Sequence, residues 1–177
     1  MGELSSATLP QIVWQGHYIT VRKQGTWEYV GRARGIDAAV ILAVDAGHVL
    51  LVEQYRVPLG ARTLELPAGL VGDETAGEAL ESAAARELEE ETGYRAGHIE
   101  RIGTFASSPG LVSETFTLVR AHSLEQVGQG GGVDGEDIDV HRVALADIPA
   151  FIAQKRGEGL VIDVKLLILL AGHLRLA

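Results

Sequence analysis

The stretch GDETAGEALESAAARELEEETGY, Gly72 to Tyr94, decides how the rest of the chain is read. From about Glu74 to Thr92 it is built of Ala, Leu and Glu without proline, so strong helix formers predict a helix, and Gly93 stands where a C-cap belongs. Glu87, Glu90 and Glu91 fall at i, i+3 and i+4. At ~3.6 residues per turn their carboxylates share one face, within a sector of roughly 100°. Such crowding of like charge mildly destabilises a plain helix, so either the face is solvated or a cation sits on it. Hard oxygen donors suit Mg²⁺ or Mn²⁺, which hold phosphate substrates while keeping several waters.

Outward from this helix the chain is mostly strand. Val13 to Lys23 and Thr26 to Ala33, separated by Gln24-Gly25, predict an N-terminal hairpin. Ile36 to Val44 and Val49 to Arg56, divided by Asp45 to His48, predict a second hairpin in a buried sheet, and Thr63 to Leu66 a short strand. Pro67 to Gly72 is then a loop. After the helix, Ile99 to Phe105 and Thr115 to Ala121 are strands around the turn-rich Ser107-Ser108-Pro109-Gly110. Gly128 to Gly135 holds five glycines in eight residues and reads as a flexible connector. Ile138 to Leu145 is a last strand, Ala146 to Lys155 a short helix, and Val161 to Leu176 a closing helix with an apolar stripe. Strand hairpins with a few helices imply a mixed sheet packed by helices.

Composition narrows the partners. The 177 residues, 46% apolar and 22% charged, fit one globular domain with at most a small appendage and exclude disorder and fibrous repeats. A net charge of −9 and the lack of a basic block argue against nucleic acid as a partner. An anionic small molecule remains compatible where metal ions or a few placed arginines supply positive charge. With no cysteine, any metal must be held by oxygen or imidazole. The longest apolar runs, Ala38 to Val44 and Leu166 to Gly172, fall far short of the ~18 residues of a membrane span. The N-terminus shows no secretory pattern, so a cytoplasmic location is expected. The six histidines lack ligand spacing, and no serine-hydrolase elbow or phosphate-binding Gly-Lys-Ser/Thr loop occurs.

The stretch from Gly72 to Tyr94 also resembles the Nudix box of the Nudix hydrolases. That box runs Gly, five residues, Glu, seven residues, Arg-Glu-apolar-any-Glu-Glu-any-Gly-apolar. Gly72, Glu78, Arg86, Glu87, Leu88, Glu90, Glu91, Gly93 and Tyr94 fill its positions. Seven fixed positions match by chance on the order of 10⁻⁸ per starting point. The resemblance implies an α/β/α sandwich with a mixed sheet, an N-terminal antiparallel β-hairpin subdomain, and metal-dependent hydrolysis of a nucleoside diphosphate linked to another group. It assigns Glu87, Glu90 and Glu91 to the metal, Mg²⁺ or alternatively Mn²⁺, and gives Arg86 the task of orienting the glutamates.

VEQYRVP (Val52 to Pro58), LELPAGL (Leu64 to Leu70) and SSPGLVSE (Ser107 to Glu114) are similar to the ADP-ribose pyrophosphatase branch, with Pro109 as its marker. Carried over, the Ala68 carbonyl is a further metal ligand, and Glu114 positions or deprotonates the attacking water. Trp27 stacks on the adenine, Tyr18 offers its opposite face, Arg32 and Arg56 meet phosphate, and Leu70 lies against the substrate. An indole presents a flat apolar face to a base, and a guanidinium a bidentate fork to phosphate. One departure concerns the loop geometry. Gly69 stands nine residues before Glu78 where the family has six, so three residues are inserted and Gly72 fills the box position.

The resemblance divides the chain into a strand and dimerisation segment over 1–34 and a hydrolase domain over 35–177. It implies a homodimer whose N-terminal strands complete the partner's site. The expected reaction cuts ADP-ribose to AMP and ribose 5-phosphate. Two alternatives are another nucleoside diphosphate sugar such as GDP-mannose, and a sensor that binds ADP-ribose without turnover.

Overall fold

The computed structural model describes residues 9–34, 36–72, 77–133 and 135–171. Strand β4 (Asp37–Asp45) and strand β5 (His48–Arg56) form the central hairpin, joined through Ala46 and Gly47. They pair only next to the turn, at Val44 with Val49 and Asp45 with His48, and then part. The gap is filled by one stretch of chain. Strand β6 (Ala61–Glu65) takes the free edge of β5, and strand β7 (Ala68–Val71) takes that of β4. Between them the Pro67 carbonyl accepts from Ile41 N–H at 2.8 Å. The Leu64 to Leu70 motif therefore lies at the fork of the sheet.

On the other edge of β4 runs strand β9 (Thr115–Gln126), parallel to it, with the long strand β8 (Tyr94–Ala106) antiparallel outside. Strand β10 (Ile138–Ala144) covers the far edge of β5, and the two-residue strand β11 (Val161–Ile162) adds in parallel to β6. The sheet is mixed, as expected. Alternation along β4 sends Ala39, Ile41 and Ala43 to one face and Val40, with the half-buried Leu42 and Val44, to the other. Helix α1 (Leu80–Thr92) covers the first face with Ala84 and Leu88. Helix α2 (Ile148–Gly157) covers the second with Ile148 and Ile152, beside Leu166. Burial on both faces makes β4 and β5 nearly continuous apolar runs and gives the α/β/α sandwich.

Outside this sandwich stands a separate antiparallel sheet of strands β1 (Gln11–Gln15), β2 (Ile19–Gln24) and β3 (Trp27–Arg32). It is tied to the main domain by β3 and the loop after Pro109. Val30 N–H donates to Leu111 O at 3.0 Å and Ser113 N–H to Val30 O at 2.8 Å. No helix among the described residues is long and apolar enough to cross a membrane.

Several expectations are corrected. Val13 to Lys23 is two strands, because the chain turns at Gly16 to Tyr18 and Gly16 N–H bonds Ile19 O at 2.9 Å. The expected loop from Pro67 to Gly72 is largely β7, drawn into the sheet by the open edge of β4. The helix starts at Leu80 rather than Glu74, since Gly77 has φ +82 and Ala79 is extended, while Asp73 to Ala76 lie outside the described residues. The expected closing helix gives way to β11, a 3₁₀ turn over Val164–Leu166 begun by Asp163, and a short helix, α3 (Leu167–Leu170). Its end from 172 onward is outside the described residues. The Gly128 segment is bonded to α1 and is not a free connector.

One buried charge ties the second layer down. Glu53 on β5, 7% exposed, accepts from Arg62 Nε at 2.8 Å, Lys155 Nζ at 2.8 Å and His141 Nε2 at 3.1 Å. It thus joins β6, α2 and β10 at one point. Burial alone raises its pKa, but the bonds from Lys155, Arg62 and His141 outweigh this and hold it at about 2. A carboxyl held low contributes stability fully above its unfolded value, and that contribution is lost as pH falls through the folded one. Glu53→Gln is expected to cost ~3 kcal/mol at neutral pH. The gap to the wild type should close as pH drops from 4.5 toward 2. Urea unfolding of both proteins at stepped pH tests this; a gap independent of pH would refute the assignment.

Candidate active site

Small residues bring α1 against the fork. Ala83 and Ala84 on the helix, and Ala39 and Ala43 on β4, are fully buried, which lets the backbones approach closely. On the adjacent rim of the helix the glutamates meet β7. Gly69 shows how close the approach is, because a Cβ there would overlap Cγ and Cδ of Glu87. One residue earlier, Ala68 N–H donates to Glu91 Oε2 at 3.1 Å. The Pro67-Ala68-Gly69 segment at the start of β7 therefore sits on the glutamates despite the three-residue insertion that follows it.

Arg86, itself largely buried, binds the cluster. Its Nη1 lies 2.9 Å from Glu90 Oε2, its Nη2 3.1 Å from Glu87 Oε1 and its Nε 3.5 Å from Glu78 Oε1. The second oxygen of Glu78 is buried without a hydrogen-bond partner. Glu91 sits deepest, 5% exposed. Burial pushes its carboxyl up to about 8, and repulsion from Glu87 and Glu136 adds to this against the Ala68 bond and Arg56. Three carboxylates, Glu78, Glu87 and Glu90, thus gather around the single guanidinium of Arg86, while Glu91 lies on the Ala68 amide with Glu87 and Glu136 near enough to add their charge. Glu136 was not singled out from sequence; it follows the glycine-rich stretch with no spacing to mark it, and only the fold brings it here.

Among the described residues the carboxylates do not already converge as a finished ligand cage, since Arg86 draws Glu87 and Glu90 toward itself. The donor set nevertheless fits a hard divalent cation. It is all oxygen, it carries surplus negative charge, and its deepest member is pushed toward the protonated form by burial and by the neighbouring carboxylates.

Two further arginines are each held by a carboxylate, and Arg56 lies beside this cluster. Arg56, at the end of β5, donates through Nε and Nη2 to the buried Glu65 at 2.7 and 2.9 Å. Thr63 Oγ1 also donates to Glu65. Glu65 holds the guanidinium above its usual range, and Glu91 contributes to this, so Arg56 lies within the field of the glutamates. Arg56, Pro58, Leu59, Thr63, Glu65, Val161 and Asp163 line a cavity of about 260 Å³. Arg32, at the end of β3, directs Nε and Nη2 to Glu114 Oε1 at 2.9 and 2.5 Å. That pair lines a second cavity of about 210 Å³ with Arg22, Asp37 and Ser113.

The structure thus brings together Ala68, Arg86, Glu87, Glu90 and Glu91, joins Arg32 to Glu114, and couples Arg56 to Glu91. Leu70 is half-buried on β7 opposite Ala38. Trp27 lies on strand β3 of the outlying sheet and Tyr18 in the turn between its first two strands, 54% and 70% exposed, with Tyr18 edge-on to His17. No hydrogen bond or ion pair among the described residues links them to the glutamates.

Comparison with known proteins follows the same outline. The NUDIX domain description matches residues 33–161. A methanol dehydrogenase activator of Bacillus methanolicus is 36% identical over 119 residues, 67% of this chain and 63% of that protein. An ADP-ribose pyrophosphatase of Bacillus subtilis is 36% identical over 110 residues, 62% of this chain and 58% of the relative. The chain therefore spans about three-fifths of the length of these relatives. The crystal structure of an ADP compounds hydrolase superposes with a TM-score of 0.68 at 22% identity, covering 95% of both chains. That likeness establishes the shared fold.

The state of Glu91 has a consequence for the metal-free protein. Its folded pKa of about 8 lies above the unfolded 4.5, so between these values the folded state binds the extra proton. Stability is full below 4.5 and declines as pH rises toward 8. Unfolding of chelator-treated protein should show a loss of ~4 kcal/mol across this window relative to Glu91→Gln, which stays neutral. Parallel pH profiles for the two proteins would show that Glu91 is not the group responsible.

Proposed function

The chain belongs to the Nudix family, and from that premise we propose that it hydrolyses the pyrophosphate of ADP-ribose to AMP and ribose 5-phosphate. The carrying observation is the buried Glu91 on the Ala68 amide, crowded by Glu87 and Glu136. Such a cluster lacks only positive charge. Glu87, Glu90 and Glu91 would hold Mg²⁺ or Mn²⁺. In an extended strand the N–H and C=O of one residue point to the same side, so the Ala68 carbonyl faces the glutamates as its N–H does. The cation, when bound, neutralises the diphosphate and makes a coordinated water more acidic.

The chain's own residues supply the rest. Arg86 keeps Glu87 and Glu90 apart and aimed. Arg56, fixed in its bidentate pair with Glu65, presents its remaining donor to a phosphate oxygen beside the glutamates. Water attacks one phosphorus, the bond from that phosphorus to the bridging oxygen breaks, and the proton of the water passes to a carboxylate. Two residues compete for that last role. Glu114 is the family expectation, while Glu136 acts on Glu91 directly through its charge. Charge neutralisation and positioning account for most of the rate.

On the same reading Trp27 and Tyr18 take the adenine and Arg32 a phosphate, from a site completed by a second copy. The exposed Ile12, Val13, Trp14 and Trp27 on the N-terminal sheet support a homodimer through that sheet, since isolated sheets with so much exposed apolar surface seek a cover.

Incubation with Mg²⁺ and ADP-ribose, ADP-glucose, GDP-mannose or NADH, with products separated by chromatography, tests the substrate. AMP and ribose 5-phosphate should form fastest. Faster cleavage of GDP-mannose would keep the chemistry and move the substrate, and binding of ADP-ribose without cleavage would turn the protein into a sensor. Glu90→Gln and Glu91→Gln are each expected to lower kcat by about 10²-fold or more with unchanged circular dichroism. Near-normal turnover in either would refute the metal assignment.

The proton acceptor is separable by the pH profile of kcat. The acidic limb should vanish in whichever of Glu114→Gln and Glu136→Gln removes the base, with kcat about 10²–10⁴-fold down. A limb retained in both variants would exclude both residues.

A further inference from the structure

The glycine-rich stretch after β9 has no role in the chemistry above, yet its backbone is bonded to the helix on which that chemistry depends. A helix leaves its last four carbonyls without internal partners. In α1 these belong to Glu89, Glu90, Glu91 and Thr92. Gly93 N–H reaches Glu89 O at 2.9 Å, as a C-cap does. The next two are met from outside. Gly132 N–H donates to Glu90 O at 3.1 Å, and Gly131 N–H to Glu91 O at 2.9 Å. Val127 and Gly128 both donate to Gly93 O, at 2.9 and 3.0 Å. The two carbonyls filled by the loop are those of the residues whose side chains are assigned to the cation.

Glycine is what allows the contact. A Cβ on Gly130, at φ +69, would stand 2.5 Å from Glu91 O and overlap the carbonyl carbon of Thr92. On Gly93, at φ +75, it would stand 2.5 Å from Gly128 O and 2.6 Å from Gly130 N. Gly128 is different, because a Cβ there meets nothing nearer than 3.8 Å and its φ lies outside the left-handed region.

We infer that residues 127–132 are a positioning clamp for the cation site, gripping the last turn of α1 so that Glu90 and Glu91 stay fixed relative to Ala68. The inference rests on the hydrolase reading, which makes the cation the ligand. Helix ends fray, and Glu90 and Glu91 sit in the final turn. Ungripped, their backbones would sample several positions, and binding a cation would have to order them first. The clamp removes that cost before the ion arrives.

Mn²⁺ binding to the whole protein, followed by the paramagnetic resonance of the free ion, tests this in four proteins. Relative to the wild type, Gly130→Ala is expected to raise the Kd by about 10–100-fold, the range for groups that support ligands from behind. Gly131→Ala strains the loop at φ +111 with its nearest neighbour at 3.8 Å, and should weaken binding by a smaller factor of about 3–10. Gly128→Ala should stay within about twofold. Should Gly130→Ala fail to fold, Gly131→Ala decides by its own range.

A loop that serves only stability would lower the unfolding midpoint of these variants and leave the Kd of the folded protein unchanged, and that result overturns the inference. Equal weakening in Gly128→Ala overturns it as well. Failure of the hydrolase reading is distinguishable, because the wild type itself would then bind no Mn²⁺.

Discussion

The close approach of β7 to the rim of α1 is the constraint from which the rest follows. Gly69 has no room for a side chain because Glu87 occupies that place, and Ala68 gives its amide to Glu91. Neither contact exists unless the helix lies low on the sheet. That depends on Ala39 and Ala43 sharing a core with Ala84, and on Ala83 beside it, all without solvent exposure. It depends also on β4 and β5 parting after a short hairpin, since β7 enters the sheet through the gap. A larger residue at any of these alanines would lift the helix and separate the carboxylates from the strand. Packing and chemistry are here one problem, and the small side chains solve both.

Charge is distributed to match. In the second layer, Glu53 is one carboxylate bonded by Arg62, Lys155 and His141 and is held far below its usual range. Around Glu91 the ratio is reversed, with several carboxylates sharing Arg86, and the deepest one is pushed up to about 8. A buried charge without a partner costs several kcal/mol, so an isolated protein answers by protonating it. The first cluster is complete in itself and holds elements together. The second is left incomplete, which is the property a cation site needs.

Much of this was legible before any coordinates. The spacing of Glu87, Glu90 and Glu91 gave the helix face, and the full box gave the family, because helix geometry and motif are local properties of sequence. Local signals failed where a distant edge decided the outcome. Ala68 to Val71 carries no strand propensity of note and is a strand because β4 offers an open edge. Val161 and Ile162, apolar and readable as helix, pair in parallel beside β6 instead. Glycines 128 to 132 read as slack since composition cannot show that a helix end lies beside them. Glu136 was invisible for the same reason. Arg32 and Glu114 were each found through the resemblance, but their pairing across 82 positions was not.

That pairing bears on how the outlying sheet is joined to the main domain. Both Arg32 donors in the pair, Nε and Nη2, fall on the single oxygen Oε1 of Glu114. Among the described residues, Arg32 Nη1 and Glu114 Oε2 have no such bond, so each partner keeps one polar atom for another group. The link is also braced. Val30 is bonded on both sides to the loop that carries Glu114, and the Ser113 hydroxyl fills the space where Gly31 has no side chain. A shift of β3 therefore carries the loop and its glutamate along with it. The sheet that displays Trp27 is thus a mechanical extension of the loop after Pro109.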